Sequence, residues 1–137
     1  MKQVLFYFAV SIFLSSAFSC AEKQEETTGT IQSTDQKMLR HIVLFKFKDA
    51  STPEDVKAVE DAFRNLKNEI PEIKDFEWGK NNSPEGLNEG LTHAFFVSFT
   101  SEEDRAVYLP HPKHKAFIEV LKPHLEKAVV VDYWAEK

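Results

Sequence analysis

The sequence has few of the residues that define several large protein classes. It contains only 4 glycines and 6 prolines in 137 residues, which excludes collagen-like and low-complexity proteins. Its single cysteine, Cys20, can form neither an internal disulfide bond nor a cysteine-rich zinc site. Acidic residues outnumber basic ones, 22 against 17, and the net charge of −5 argues against a nucleic-acid partner. With 42% hydrophobic residues, the composition is that of an ordinary globular domain.

Short motifs for cofactors and metals are also absent. There is no GxGxxG segment, P-loop, GxSxG or HExxH, so we expect no cofactor and no serine-hydrolase chemistry. The spacing of His111 and His114 could place two metal ligands together on a helix. However, His111 falls at a proline break and no acidic residue lies within the motif, so we predict no metal site.

The first nineteen residues have the pattern of a signal peptide. Lys2 is followed by an uncharged run from Val4 to Phe18, which is shorter than the roughly 20 residues of a membrane-spanning helix. Cys20 comes next, and this arrangement resembles a bacterial lipoprotein signal, in which the cysteine is lipidated and becomes the new N-terminus. Residues 1–19 are therefore predicted to be removed, which leaves an envelope protein anchored in a membrane through Cys20.

An alternative cleavage would release the protein. Ala17 and Ser19 suit ordinary signal peptidase, which would make the mature chain secreted or soluble in the periplasm. In either case residues 20–37 form a polar segment whose one large apolar side chain is Ile31. Such a segment cannot bury enough surface to order itself, so we predict a flexible tether.

Residues 38–137 show the strand and helix patterns of one domain. The order β-α-β-β-α-(α)-β predicts an α+β fold of ferredoxin-like type, with helices on one face of a four-stranded antiparallel sheet. The predicted strands are Met38–Lys48, Ile73–Lys80, Leu91–Thr100 and Ala128–Trp134. The predicted helices begin after Thr52, Ser101 and His111 and end near Ile70, Leu109 and Lys122.

The predicted strands are apolar on both faces. Ile42, Leu44 and Phe96 lie opposite the side chains that would meet the helices, and the last strand reads Val-Val-Val. A sheet with one solvated face shows polar alternation there, and this one does not. We therefore predict a homodimer in which two sheets pack face to face, since one chain cannot hide so much apolar surface.

The densest polar cluster is the segment from Tyr108 to His114. Pro110 and Pro112 pin the backbone between a helix end and a helix start, and His114 falls near the third helical position. The positive end of the helix dipole favours a neutral, basic imidazole there. A base with a tyrosine hydroxyl nearby suits proton abstraction beside a carbonyl group. His41 and His93 share a strand face with large apolar residues, so we predict a ligand pocket lined by His41, His93, Tyr108, His111 and His114.

Several segments together resemble the stress-responsive A/B barrel (Dabb) family. These are Met38–Lys48, Ile73–Gly79, Thr92-His93, Tyr108–His114 and Asp132-Tyr133. The resemblance spans nearly all of residues 38–137. It implies a dimeric α+β barrel, which agrees with the dimer expected from the apolar sheet.

The resemblance leaves the activity open. Plant members of the family are linked to stress response, and one of them, olivetolic acid cyclase, cyclises a linear polyketide with a His base and an assisting Tyr. The matching positions here are His114 and Tyr108, and its strand histidines match His41 and His93. Three functions follow as hypotheses: a binding protein for a small hydrophobic molecule, a cyclase or lyase, and a non-catalytic envelope stress protein.

Overall fold

The computed structural model describes residues 37–136, which comprise four strands and three helices. The predicted signal peptide, Cys20 and all of the tether before Lys37 lie outside these residues. In chain order the elements are β1 (Leu39–Phe47), α1 (Pro53–Glu69), β2 (Asp75–Lys80), β3 (His93–Phe99), α2 (Glu102–Tyr108), α3 (Pro112–Leu121) and β4 (Leu125–Trp134). None of the helices within these residues is long and apolar enough to span a bilayer.

The strands form one antiparallel sheet in the order β2-β3-β1-β4. This is the predicted ferredoxin-like arrangement, and the fold prediction is confirmed. Helix α1 begins with a capping box, in which Thr52 accepts from the Asp55 amide while the Asp55 carboxylate accepts from the Thr52 amide. His111 caps α3 through Nδ1, which accepts from the Lys113 amide.

The core lies between the helices and one face of the sheet. Phe63 on α1 stacks against Phe95 on β3 and Phe117 on α3, with ring centroids 4.6 and 4.4 Å apart. The other buried members of this core are Leu39, Val43, Phe45, Val59, Leu66, Ile70, Ile73, Val97, Phe99, Tyr108 and Leu121.

The opposite side of the sheet, which we term the outer face, carries a second set of apolar side chains. Cross-strand pairing places Glu77, Phe96, Ile42 and Val131 in one row. The row beside it consists of Gly79, Ala94, Leu44 and Val129. On β4, Val131 and Tyr133 are 48% and 43% exposed. The described chain thus presents a broad apolar sheet surface that its own helices do not cover.

Candidate functional site

Two prolines position the segment between α2 and α3, as the sequence predicts. Tyr108 is the last residue of α2, and the amide of His111 donates to its carbonyl oxygen over 3.0 Å, which turns the chain. Pro112 then occupies the first position of α3, so His114 lies in the first turn. The turn and the helix start bring the side chains of Tyr108 and His114 together on the core side of the sheet.

Tyr108, His114 and His41 form one cluster. The ring centroids of Tyr108 and His114 are 4.3 Å apart, and the His41 ring meets the Tyr108 ring edge-on at 5.8 Å. Tyr108 is fully buried, and His41 is 6% exposed. Three of the five residues predicted for the pocket are therefore in mutual proximity.

His114 is held as a neutral imidazole. Its Nδ1 donates to the carbonyl oxygen of Leu109 over 2.9 Å, which leaves Nε2 with a free lone pair. Burial lowers the pKa of His114, although the hydrogen bond to Leu109 acts in the opposite direction. Near neutral pH this side chain can accept a proton through Nε2.

The Tyr108 hydroxyl has no hydrogen-bond partner among the described residues, although it is fully buried. Buried hydroxyls are normally hydrogen-bonded, so this unpaired group is available to donate to an acceptor from outside the described residues. Burial also raises the pKa of Tyr108 far above its ordinary value, which keeps the hydroxyl protonated. Tyr108 is thus a hydrogen-bond donor without an acceptor, beside a base.

His41 is oriented by Asp132, a residue whose role the sequence pattern does not predict. Its Nδ1 lies 2.8 Å from Oδ1 of Asp132, and Nη1 of Arg105 lies 3.4 Å from the same oxygen. The register pairs His41 directly with Asp132 across β1 and β4. The carboxylate accepts from Nδ1–H of His41 and so favours the tautomer that leaves Nε2 unprotonated.

His93 lies apart from the Tyr108 cluster. It pairs with Phe45, while His41 pairs with Val97, so the two histidines are separated by four residues along the sheet, roughly 13 Å. His93 Nε2 lies 3.1 Å from Oε1 of Glu60, and its Nδ1 lies 2.8 Å from Oγ1 of Thr92.

An ion pair between buried Glu60 and exposed Lys80 lies beside His93. Lys80 Nζ lies 3.0 Å from Oε1 of Glu60, which is only 8% exposed. Burial opposes the ionisation of Glu60, but hydrogen bonds from Lys80 and His93 outweigh it and lower its pKa. For His93, burial disfavours the charged imidazolium and lowers the pKa, although the hydrogen bond with Glu60 acts in the opposite direction. Since both His93 nitrogens have partners, neither is available as a base.

A pocket of about 520 Å³ lies beside His93 but away from Tyr108. Of the five predicted pocket residues, it contains only His93. His111 serves as the cap of α3. Its backbone amide donates to Tyr108, but within the described residues its side chain makes no hydrogen bond or ring contact with Tyr108, His114 or His41. Across residues 37–136, no three His, Cys, Asp or Glu side chains gather closely enough to hold a metal ion.

The lowered pKa values of His93 and His114 predict a pH-dependent stability. We expect the free energy of unfolding to decrease as the pH falls from about 8 to about 5, because the unfolded chain binds protons at the ordinary histidine pKa of about 6.5. In the folded chain the pKa values of His93 and His114 are both lowered. Their contribution to the free energy of unfolding is therefore fully present above the unfolded histidine pKa of about 6.5 and is lost as the pH falls below it. Urea unfolding at a series of pH values measures this slope.

A matched variant isolates the contribution of His114. In His114→Gln the slope between these pH values should be smaller than in the wild type, whatever the absolute stability of the variant. Equal slopes in the two proteins would contradict the assignment. The depressed pKa of Glu60 adds a loss only at lower pH, near the ordinary carboxyl pKa of about 4.3.

Comparison with known proteins identifies the relatives of this chain. The family profile of the stress responsive A/B barrel domain matches residues 39–135. The stress-response A/B barrel domain-containing protein HS1 of Arabidopsis thaliana is 39% identical over 95 residues, which are 69% of this chain and 87% of HS1. Olivetolic acid cyclase of Cannabis sativa is 35% identical over 99 residues, 72% of this chain and 98% of the cyclase.

A solved structure shares the fold. A dimeric ferredoxin-like protein of unknown function from Thermobifida fusca superposes with a TM-score of 0.64 at 29% identity. The match covers 74% of this chain and 93% of that protein. The similarity therefore extends over the whole described domain.

Proposed function

The chain belongs to the stress-responsive A/B barrel domain family, and from that premise we propose that it is a homodimeric binding protein of the cell envelope. Its ligand is a small, mostly apolar molecule with one hydrogen-bond acceptor. The acceptor meets Tyr108, and the apolar part contacts the aromatic side chains around it.

The orphaned Tyr108 hydroxyl carries this proposal. An unsatisfied buried hydroxyl costs about 1–3 kcal/mol, and a ligand carbonyl would remove that cost by accepting its hydrogen bond. Phe99 and Phe117 lie beside the cluster, with centroids 5.2 Å from Tyr108 and 6.2 Å from His114. An apolar molecule with a carbonyl group fits this combination of one donor and several aromatic rings.

Replacing Tyr108 with phenylalanine tests the proposal. We expect Tyr108→Phe to unfold at an equal or higher urea concentration than wild type stripped of its ligand, with a gain of about 1 kcal/mol, because the orphaned hydroxyl is removed. The same variant should no longer retain the small molecule that co-purifies with the wild type, as measured by mass spectrometry. Tyr133→Phe is the matched control. The Tyr133 side chain is 43% exposed and lies on the outer face, so this variant should retain the ligand. A clear loss of stability in Tyr108→Phe relative to the ligand-free wild type, or an unchanged amount of retained ligand, would contradict the proposal.

An enzyme of cyclase or lyase type is the second candidate. It is favoured by the 35% identity to olivetolic acid cyclase and by the free Nε2 of His114 beside the Tyr108 hydroxyl. In this reading His114 removes a proton beside a carbonyl, while Tyr108 donates a hydrogen bond to the oxygen on which negative charge develops. Loss of turnover of a β-polyketide in both His114→Ala and Tyr108→Phe would establish the enzyme. A protein with neither ligand nor turnover would instead be a non-catalytic stress protein.

The homodimer is supported by the apolar outer face and by the Thermobifida fusca relative, which is described as dimeric. Half-exposed Val131 and Tyr133 on β4 would become buried when two outer faces meet. Both edge strands, β2 and β4, would at the same time lie near the partner copy. The dimer accounts for a surface that one described chain leaves uncovered.

The envelope location rests on the lipoprotein-type signal, and Cys20 provides its test. In a bacterial host, the wild-type chain should fractionate with membranes and incorporate labelled palmitate. Cys20→Ala should lose both properties, because a chain without the thiol cannot be lipidated. Membrane retention of Cys20→Ala to the wild-type level would contradict the anchor, and a wild type found only in the soluble periplasm would favour ordinary cleavage after Ser19.

A further inference from the structure

The outer face has a hollow near its β2 edge. Gly79 and Ala94 are paired neighbours on β2 and β3, and neither carries a side chain larger than a methyl group. Bulky residues surround them, with Leu44 beside Ala94 on β1 and Phe96 one row away. A side chain built on Gly79 would meet no atom within 4 Å of its Cβ. The small pair therefore leaves open space above the sheet.

The connection between β2 and β3 makes this space a pocket. Leu87, Asn88 and Leu91 from that connection line one side, and the pocket volume is about 520 Å³. Gly86 and Gly90 adopt φ angles of 70° and 79°, a left-handed region that glycine occupies readily, and they allow the connection to fold back. The pocket is far larger than a single water needs, and apolar side chains form its floor.

One charge at this pocket is left without a counter-ion. Lys80 Nζ lies 3.0 Å from a Glu60 carboxylate oxygen, and a Glu89 carboxylate oxygen lies 2.7 Å from Lys127 Nζ, so both of these charged residues of the pocket lining are already paired. Glu77 also lines the pocket, in the row next to Gly79, and no ion pair or hydrogen bond of its carboxylate is found within residues 37–136. A free carboxylate beside an apolar floor is complementary to an apolar molecule with a positive charge.

We propose that the hollow above Gly79 and Ala94 is a second binding site, separate from the Tyr108 cluster, for a small apolar amine. The alkyl or aryl part packs on Leu44, Ala94 and Phe96, and the ammonium group pairs with Glu77. This inference rests on the proposed homodimer, because the second copy covers the open side of the hollow when the outer faces meet. It goes beyond the proposed function by assigning a cationic ligand to the opposite face of the sheet.

Octylamine and 1-octanol are suitable probes, because they share one alkyl chain and differ in the head group. In isothermal titration calorimetry with the purified full chain, octylamine should bind roughly tenfold more tightly than octanol, a typical effect of one charge-assisted hydrogen bond. Glu77→Gln should remove this preference. Gly79→Val should weaken the binding of both probes at least about tenfold by filling the hollow, since valine suits an edge strand and the space is free. Tyr108→Phe should leave octylamine binding unchanged.

Light scattering on the same samples separates this inference from the homodimer. A wild-type dimer that binds no octylamine, or that binds it equally well with Gly79→Val, would overturn the second site while leaving the dimer intact. Conversion of Gly79→Val to a monomer would also overturn the second site. It would mean that a side chain of the partner copy fills the hollow in the wild-type dimer and leaves no room for a ligand. A monomeric wild type would contradict the proposed dimer itself.

Discussion

Replacing Val131 with aspartate is expected to convert the dimer into a monomer, whereas the same change at Val130 should leave the dimer intact. The two valines are neighbours on β4 and are similarly exposed in the single chain, at 48% and 52%. They point to opposite faces of the sheet, because Val131 pairs with Ile42 on the outer face and Val130 pairs with Val43. Only Val131 would be buried between two outer faces.

The size of this effect follows from the cost of burying an unpaired charge. A carboxylate left without a partner at a buried interface costs on the order of several kcal/mol, enough to change a dissociation constant by a hundredfold or more. Sedimentation equilibrium across a range of protein concentrations measures the change. If Val130→Asp dissociated as readily as Val131→Asp, the outer face would not be the dimer surface.

Local chemistry in the sequence was sufficient to predict the fold. Thr52 marks the start of the first helix and Pro112 the start of α3, as the structure confirms. Alternation along β1 correctly placed His41 on the buried face. These signals are local, and the helix caps and strand periods that they report do not depend on distant parts of the chain.

Strand ends were less well predicted, because pairing with a neighbour decides them. The predicted β4 began at Ala128, whereas the strand begins at Leu125. Its first residues include Glu126 and Lys127, which carry no apolar signal. The strand nevertheless continues through them beside β1, with a register shift between Lys46 and Phe47. The predicted β2 began at Ile73, whose amide instead donates to Ile70 in a turn.

The candidate site shows the same division between local and distant information. The turn from Tyr108 to His114 was readable because its two prolines lie within the segment. The partners of the strand histidines were not, because Asp132 reaches His41 only through the β1–β4 register and Glu60 reaches His93 only through the packing of α1. Whether the five predicted residues all serve one ligand pocket stays a prediction, since the described geometry brings three of them together.

Replacing Phe63 on α1 with alanine should cause a large loss of stability. The ring is 1% exposed and packs on Phe95, Phe117 and Phe76, with the last centroid 5.3 Å away. It therefore joins α1 to α3 and to two strands. Truncation of such a ring costs about 3–5 kcal/mol, a large share of the roughly 5–15 kcal/mol that stabilises a domain of this size.

Urea unfolding at a fixed protein concentration measures this loss, because the stability of a dimer depends on concentration. Leu87→Ala is the control, since Leu87 is 78% exposed and its truncation should change the free energy of unfolding by less than about 0.5 kcal/mol. The difference between the two variants reports burial, because both remove large apolar side chains. A Phe63→Ala protein as stable as Leu87→Ala would show that the aromatic stack does not hold the helices on the sheet, and the position of His114 on α3 would then need another support.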